Sequence, residues 1–193
     1  MKVRIGYGLG VRTHLNDTSF FDVVDALEDL KFDSLWVSER IGAEAPDPVV
    51  AMSVAAARTK KLKFGMSVMV LPGRNPVLLA KQLATLDRMS NGRLLPAFGL
   101  GVADVAEQQA FGVERSTRAK LFNETLEVVR KCWNDDVVNH NGEFFQLNNG
   151  FRRKVLQFAC YGYLFSVFTE AQHRIRFFYR ACDFLSGITT TKQ

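Results

Sequence analysis

The stretch LKFGMSVMVLPGRNPVLLAKQLATLDRMSNGRLLPAFGLG, Leu62 to Gly101, reads as strand, tight turn, helix, tight turn, strand. Leu62 to Leu71 is a nearly continuous apolar run, as expected of a parallel strand covered on both faces. Pro72-Gly73 ends it. Asn75 then suits a helix N-cap, and Pro76 the first helical position, where a missing N–H costs nothing. Leu79, Leu83, Leu86 and Met89 recur at helical spacing, and Asn91-Gly92 supplies a left-handed stop. Arg93 to Gly101 predicts a second buried strand, so the whole is a βαβ unit.

Working outward, the same grammar repeats. Lys2 to Leu9 predicts the first strand, followed by a loop from Val11 to Asp17. Asp17, Thr18 or Ser19 can cap the next helix, and Ser19 with Asp22 has the spacing of a capping box. Phe20, Val23, Val24, Leu27 and Leu30 form its apolar face. Ser34 to Glu39 predicts strand two. Asp47-Pro48 opens another helix, closed by Arg58, Lys60 and Lys61, whose charge suits a helix C-terminus. Asp104 to Phe111 predicts a short helix ended by Gly112. A longer helix spans Arg115 to Asn134, with Phe122, Leu126, Val129 and Trp133 on one face. Val137 to Leu147 predicts a β-hairpin turning at His140-Asn141-Gly142.

An ordered series of short pieces includes Leu35-Trp36-Val37-Ser38-Glu39-Arg40, Asp47-Pro48, Ala56-Ala57-Arg58-Thr59 and Arg74-Asn75-Pro76. It continues through Ala80 to Asp87, Ser90-Asn91-Gly92-Arg93-Leu94, Gly99-Leu100-Gly101, Glu107, Arg118, Glu124 and Asn141-Gly142-Glu143-Phe144-Phe145. Together they resemble the bacterial-luciferase-like flavin and deazaflavin oxidoreductases. The resemblance runs from about residue 3 to residue 149 and implies an α/β fold of the (β/α)8 TIM-barrel type. A complete barrel needs roughly 250 residues, and this chain has 193. The expectation is a partial barrel of four β/α units with a β-hairpin excursion: residues 1–149 as the half-barrel, 150–193 as a divergent tail.

The tail differs in composition. Residues 1–150 carry eighteen basic and eighteen acidic side chains, residues 151–193 seven and two, so the whole net charge of +5 sits there. It also holds seven of the sixteen phenylalanines and no proline. Leu164, Phe168, Ala171, Ile175, Phe178, Cys182 and Leu185 alternate by four and three, which predicts an amphipathic helix over about 163–185. Three readings of its seam stand: packing on the fold, self-association, or coincidence in an out-of-frame segment. A truncated sheet exposes edges and an inner face, so the expected state is a homodimer or a tail-covered monomer. Cys132, Cys160 and Cys182 lack metal-ligand spacing, so the reading is no metal and a reducing compartment. No apolar leader or span and no nucleic-acid motif is legible; the expected address is the cytoplasm.

In such a barrel chemistry sits at the C-terminal ends of the strands. The resemblance implies a cofactor cup from Gly8, Ser67, Val68, Met69, Gly99 and Gly101, and catalytic positions at Glu39, Arg40 and Glu107. From its residues alone Ser67 is a backbone-bonded polar group in a buried strand. The resemblance implies instead a non-proline cis peptide at Ser67-Val68, backing the ring. Many deazaflavin-dependent relatives carry a histidine where Arg40 stands, and arginine cannot act as a base at neutral pH. Arg40 either holds an anion of substrate or cofactor or joins a rim ion network with Glu39. Asp104 is a weaker candidate, Arg74 a phosphate contact or a structural turn residue. His14 is a titrating rim group or a solvent-facing loop residue; His140 and His173 show no partner in sequence. Gly99-Leu100-Gly101 lacks the third glycine of a dinucleotide fingerprint.

The expected function is a luciferase-like monooxygenase or coenzyme F420-dependent oxidoreductase acting on a small organic substrate. Coenzyme F420 is the expected cofactor and flavin mononucleotide (FMN) the alternative. The competing expectation is a truncated, catalytically silent half-barrel that binds flavin or only self-associates.

Overall fold

The computed structural model of the chain describes residues 4–13, 17–152, 165–168 and 176–178. Four parallel strand paths alternate with helices. They are β1 (Gly6–Leu9), β2 (Ser34–Val37), β3 with β4 (Lys63–Met66 and Met69–Val70), and β5 with β6 (Leu94–Leu95 and Ala97–Gly99). Between them run α1 (Asp17–Asp29), α2 (Pro48–Arg58) and α3 (Pro76–Met89), and after them come α4 (Val105–Phe111) and α5 (Arg118–Asn134). Pairing is parallel in the order β1-β2-β3-β5, and β4 pairs parallel with β6. Two strands read as continuous are therefore each in two pieces. The break between β5 and β6 falls at Pro96, which has no N–H to give a ladder; that between β3 and β4 falls at Ser67-Val68, a cis peptide bond.

Helix starts follow their expected chemistry. Asp47 accepts from Val50 N at 3.0 Å, and Asn75 accepts from Val77 N and Leu78 N, each with proline next in the chain. Asn91 and Gly92 take φ of 60° and 75° after α3. Ser19, by contrast, lies inside α1 instead of capping it, and Met89 ends α3 exposed and off its apolar face. The core forms between the outer faces of the strands and the helices, with Leu35, Val37, Phe64, Met66, Leu79 and Leu83 buried. Phe122, Leu126, Val129 and Trp133 of α5 are buried as their spacing predicts, and the Trp133 indole donates to Ala80 O on α3 at 3.1 Å.

The buried guanidinium of Arg93 ties the strand starts together. Its Nε donates to Ser90 O at 2.7 Å, Nη1 to Thr59 Oγ1 at 2.6 Å and Leu62 O at 2.9 Å, and Nη2 to Ala56 O at 2.8 Å. These acceptors lie at the C-terminal ends of α2 and α3 and the entry to β3. Nearby, Glu28 accepts from the backbone N–H groups of Lys60, Lys61 and Leu62.

The hairpin forms one residue pattern later than expected. β7 (Val137–Asn141) keeps His140 within the strand, and the chain reverses over 142–145 before β8 (Gln146–Arg152), with Gly142 N donating to Phe145 O at 3.0 Å. His140 is buried and partnered: Nε2 lies 3.2 Å from Glu124 Oε1 and Nδ1 3.2 Å from Lys131 Nζ. Glu124 also accepts from the N–H groups of Glu143, Phe144 and Phe145. A Cβ on Gly142 would stand 2.0 Å from Glu124 Oε1, so only glycine lets the carboxylate reach this loop.

The tail corrects another expectation. Within the segment expected to be helical, β9 (Phe165–Phe168) and β10 (Arg176–Phe178) are strands, antiparallel to each other, with β9 parallel to β6. The β6 edge offers unpaired donors and acceptors, and an aromatic, β-branched run such as Phe-Ser-Val-Phe suits that edge. The rest of the 163–185 span, with His173, lies outside the described residues, as does His14.

Burial works against the Glu124 charge, but the loop N–H donors and His140 outweigh it and hold this carboxyl below the usual glutamate range. A lowered native value stabilises the fold fully above the ordinary glutamate range and fades as pH falls through it. Glu124→Ala is expected to cost about 2–3 kcal/mol near neutrality. In urea titrations the gap from the unmodified chain shrinks in acid.

Candidate functional site

Register places Gly8, Trp36, Gly65 and Leu95 side by side across β1, β2, β3 and β5. Alternation along β2 buries Leu35 and Val37 under the helices and turns Trp36 to the opposite, inner face. The indole fits because its neighbours lack side chains. A Cβ on Gly65 would lie 2.8 Å from the Trp36 ring and 2.3 Å from Leu95 O; one on Gly6 would lie 2.7 Å from Ser34 Oγ. Trp36 Nε1 donates to Ser34 Oγ at 3.0 Å. At Gly8 an added Cβ would meet nothing within 4 Å, which leaves an open stretch of wall beside the indole.

This wall bounds a cavity of about 1070 Å³, reached by Gly8, Ser34, Trp36, Ser67 and Ala97 and continuing to charged residues at the strand starts. The expected cup lay wholly at the strand C-terminal ends. This cavity instead follows the inner wall, because the described strands form an arc whose interior no described strand fills. Of the expected cofactor residues only Gly8 and Ser67 line it. Met69 is fully buried in the core, and Gly99 is buried at the end of β6. Gly101, at φ 80°, packs against Val70. The Ser67-Val68 bond is cis, as the resemblance implied.

The rim after β2 is built by three consecutive residues that each reach another element. Ser38 Oγ donates to Ser67 O at 3.0 Å. Glu39 accepts from Val70 N at 2.7 Å and pairs with Arg74 Nη2, while Arg74 Nε donates to Val70 O at 2.8 Å. Arg40 Nε lies 3.0 Å from Glu107 Oε1. The Glu39 and Glu107 side chains are 6% and 8% exposed, that of Arg40 39%. Burial pushes the Glu39 carboxyl above its ordinary value; Arg74 and the Val70 N–H oppose this, and the charges of Asp47 and Glu107 reinforce it. Glu107 Oε1 is buried without an aligned hydrogen-bond donor among the described residues.

The three expected catalytic residues thus come together, but on the rim and not along the cavity wall. The rim ion network predicted for Arg40 forms, with Glu107 as partner instead of Glu39. Arg74 is a structural partner of Glu39, and Asp104 caps α4 by accepting from Glu107 N at 3.0 Å. Trp36 was missed as a wall residue, although the alternation of β2 and the glycines aligned with it carry that signal. Among the described residues no helix is long and apolar enough to cross a membrane.

The luciferase-like monooxygenase family model matches residues 9–157, and the chain belongs to that family. It is 32% identical over 129 residues to an F420-dependent glucose-6-phosphate dehydrogenase from Amycolatopsis mediterranei, an alignment covering 62% of this chain and 39% of the relative. The monooxygenase RslO1 from Streptomyces bottropensis superposes with a TM-score of 0.74 at 24% identity, over 88% of this chain and 54% of that one. An F420-dependent secondary alcohol dehydrogenase bound to an F420-acetone adduct gives a TM-score of 0.67 at 25% identity, over 81% and 50%. The chain therefore spans about half or less of the length of these proteins, and the fold is part of a luciferase-like TIM barrel.

Packing around Trp36 separates two glycines. Gly65→Ala is expected to cost about 1–3 kcal/mol through overpacking against Leu95 and the indole. Gly8→Ala, with open space before it, leaves the urea midpoint nearly unchanged.

Proposed function

We propose that the chain is the cofactor-binding portion of an oxidoreductase that uses coenzyme F420, with its ring against the inner wall at Gly8 and Ser67. The observation that carries this is the bare wall at Gly8, in one cavity with Ser67 and beside the half-buried Trp36. A flat ring with apolar faces needs such close backbone approach. The relative named F420-dependent, 32% identical over its aligned part, supports the same cofactor. When bound, the deazaflavin supplies the hydride chemistry, and the protein binds, orients and shields.

In this reading Ser38 holds the Ser67 carbonyl in place, and Glu39 with Arg74 fixes the backbone of Val70. Val68, Met69, Gly99 and Gly101 support the wall through backbone and packing. Arg40 and Glu107 stand on the rim where a substrate enters. Catalysis competes with a second reading, a half-barrel that binds cofactor without turnover, favoured by an arc that the described strands do not close.

Fluorescence titration of the folded protein with coenzyme F420 and, separately, FMN tests the proposal. Saturable micromolar binding of F420 is expected, weakened at least tenfold by Gly8→Leu at unchanged stability. Preference for FMN overturns the cofactor assignment, and binding of neither overturns the function. Binding without turnover of any alcohol or aldehyde tested selects the silent half-barrel.

A further inference from the structure

The cavity along the inner wall changes character from one end to the other. Along the strands it is bounded by Gly8, Trp36, Leu95 and Ala97. At the strand starts it reaches five basic residues: Arg4 before β1, Lys31 between α1 and β2, Lys60 and Lys61 between α2 and β3, and Lys63 opening β3. Three acidic residues, Glu28, Asp29 and Asp33, share that end. The strand-start end is therefore net positive.

Two of those carboxylates are already committed elsewhere. Burial works against the Glu28 charge, but the N–H groups of Lys60, Leu62 and Lys61 and the charge of Arg93 outweigh it and hold its carboxyl below the usual glutamate range. Asp33 Oδ2 accepts from Ile5 N at 2.8 Å. Among the described residues no carboxylate pairs with the side chains of Arg4, Lys31, Lys60 or Lys61, all of them exposed. The strand-end rim is the reverse, with Arg40 facing Glu107 and Arg74 facing Glu39. Unpaired cations thus gather where the concavity opens at its base, and a low-dielectric concave wall concentrates their field.

The apolar surface begins directly beside these charges. Phe32 follows Lys31 and is half-buried, Trp36 stands half-buried in β2, and Leu95 lies opposite Gly65 on the next strand path. Gly8 is four residues beyond Arg4, about 13 Å along an extended chain. One small molecule can therefore touch both surfaces.

We propose that the strand-start end of this cavity binds an amphipathic organic anion. Its aromatic or hydrocarbon body lies on Phe32, Trp36 and Leu95, and its carboxylate, sulfonate or phosphate end is held among Arg4, Lys31, Lys60 and Lys61. The site uses neither Gly8 nor Ser67 and faces away from the rim, so it stands apart from the cofactor reading.

Fluorescence titration of the full chain without cofactor tests this with 8-anilinonaphthalene-1-sulfonate and with N-phenyl-1-naphthylamine, which has the same rings and no sulfonate. Saturable binding of the sulfonate is expected. Lys60→Gln with Lys61→Gln, and separately Arg4→Gln with Lys31→Gln, should each weaken it about fivefold and leave the neutral amine nearly unchanged. Salt at about 0.5 M, which shortens the screening length to a few Å, should do the same. The control pair Lys81→Gln with Lys120→Gln removes equal charge from α3 and α5 and should leave both dyes unaffected; circular dichroism checks folding of every variant. Sulfonate binding indifferent to both base pairs, an equal loss in the control pair, an equal loss for the neutral amine, or no saturable binding each overturns the proposal. With no cofactor present and Gly8 and Ser67 intact, these outcomes are read independently of whether F420 binds.

Discussion

A buried guanidinium that no carboxylate among the described residues pairs with holds this fold at its base. Burial alone makes the charge of Arg93 unfavourable and lowers its proton affinity; the charge of Glu28 works the other way. Four hydrogen bonds satisfy it, three of them to carbonyls. Two of those carbonyls, Ala56 and Ser90, belong to the ends of α2 and α3, where the helix dipoles are negative. The ring of Phe64 lies 5.1 Å away and adds its own negative face. One side chain therefore sets the spacing of two helices and the start of β3. A lysine there would carry the charge without the planar fork that reaches these acceptors.

The opposite ends of the same strands are organised differently. There the consecutive residues Ser38, Glu39 and Arg40 each cross to another segment, joining the end of β2 to the break between β3 and β4, to β4 and to α4. The Arg93 network at the base is buried, while the rim is graded from the 6% exposed Glu39 to the 39% exposed Arg40. Exposed groups at this end can differ among relatives without touching the staple that keeps the strands in register. Such a division of labour between strand starts and strand ends is what lets one barrel architecture serve many chemistries.

Local rules in the sequence were enough for much of this. Asp47-Pro48 and Asn75-Pro76 start helices because their short polar side chains reach backbone donors a few residues on, an interaction complete within one turn. The spacing of Phe122, Leu126, Val129 and Trp133 needed only the helical period. The rim trio Glu39, Arg40 and Glu107 was legible from the resemblance, although which acid meets which arginine depends on geometry across elements. What failed was non-local. His140 looked partnerless because Glu124 and Lys131 reach it from another element. Met69, expected from the resemblance to line the cup, has its side chain buried in the core, a placement set by which face β4 presents. The tail's four-three spacing matched a helix, but Phe165–Phe168 lies beside an open sheet edge, and edge pairing overrides a weak periodic signal.

The environments of the two tryptophans differ in kind. Trp133 is buried with its indole N–H on Ala80 O, inside the packing of α3 against α5. Trp36 lies half-buried on the concave wall, next to the space in front of Gly8. The chain therefore contains two intrinsic optical reporters with separate subjects. Emission from Trp133 follows the integrity of the helical layer, and emission from Trp36 follows what enters the concavity. Unfolding and ligand entry are in principle two different colours of the same protein's light.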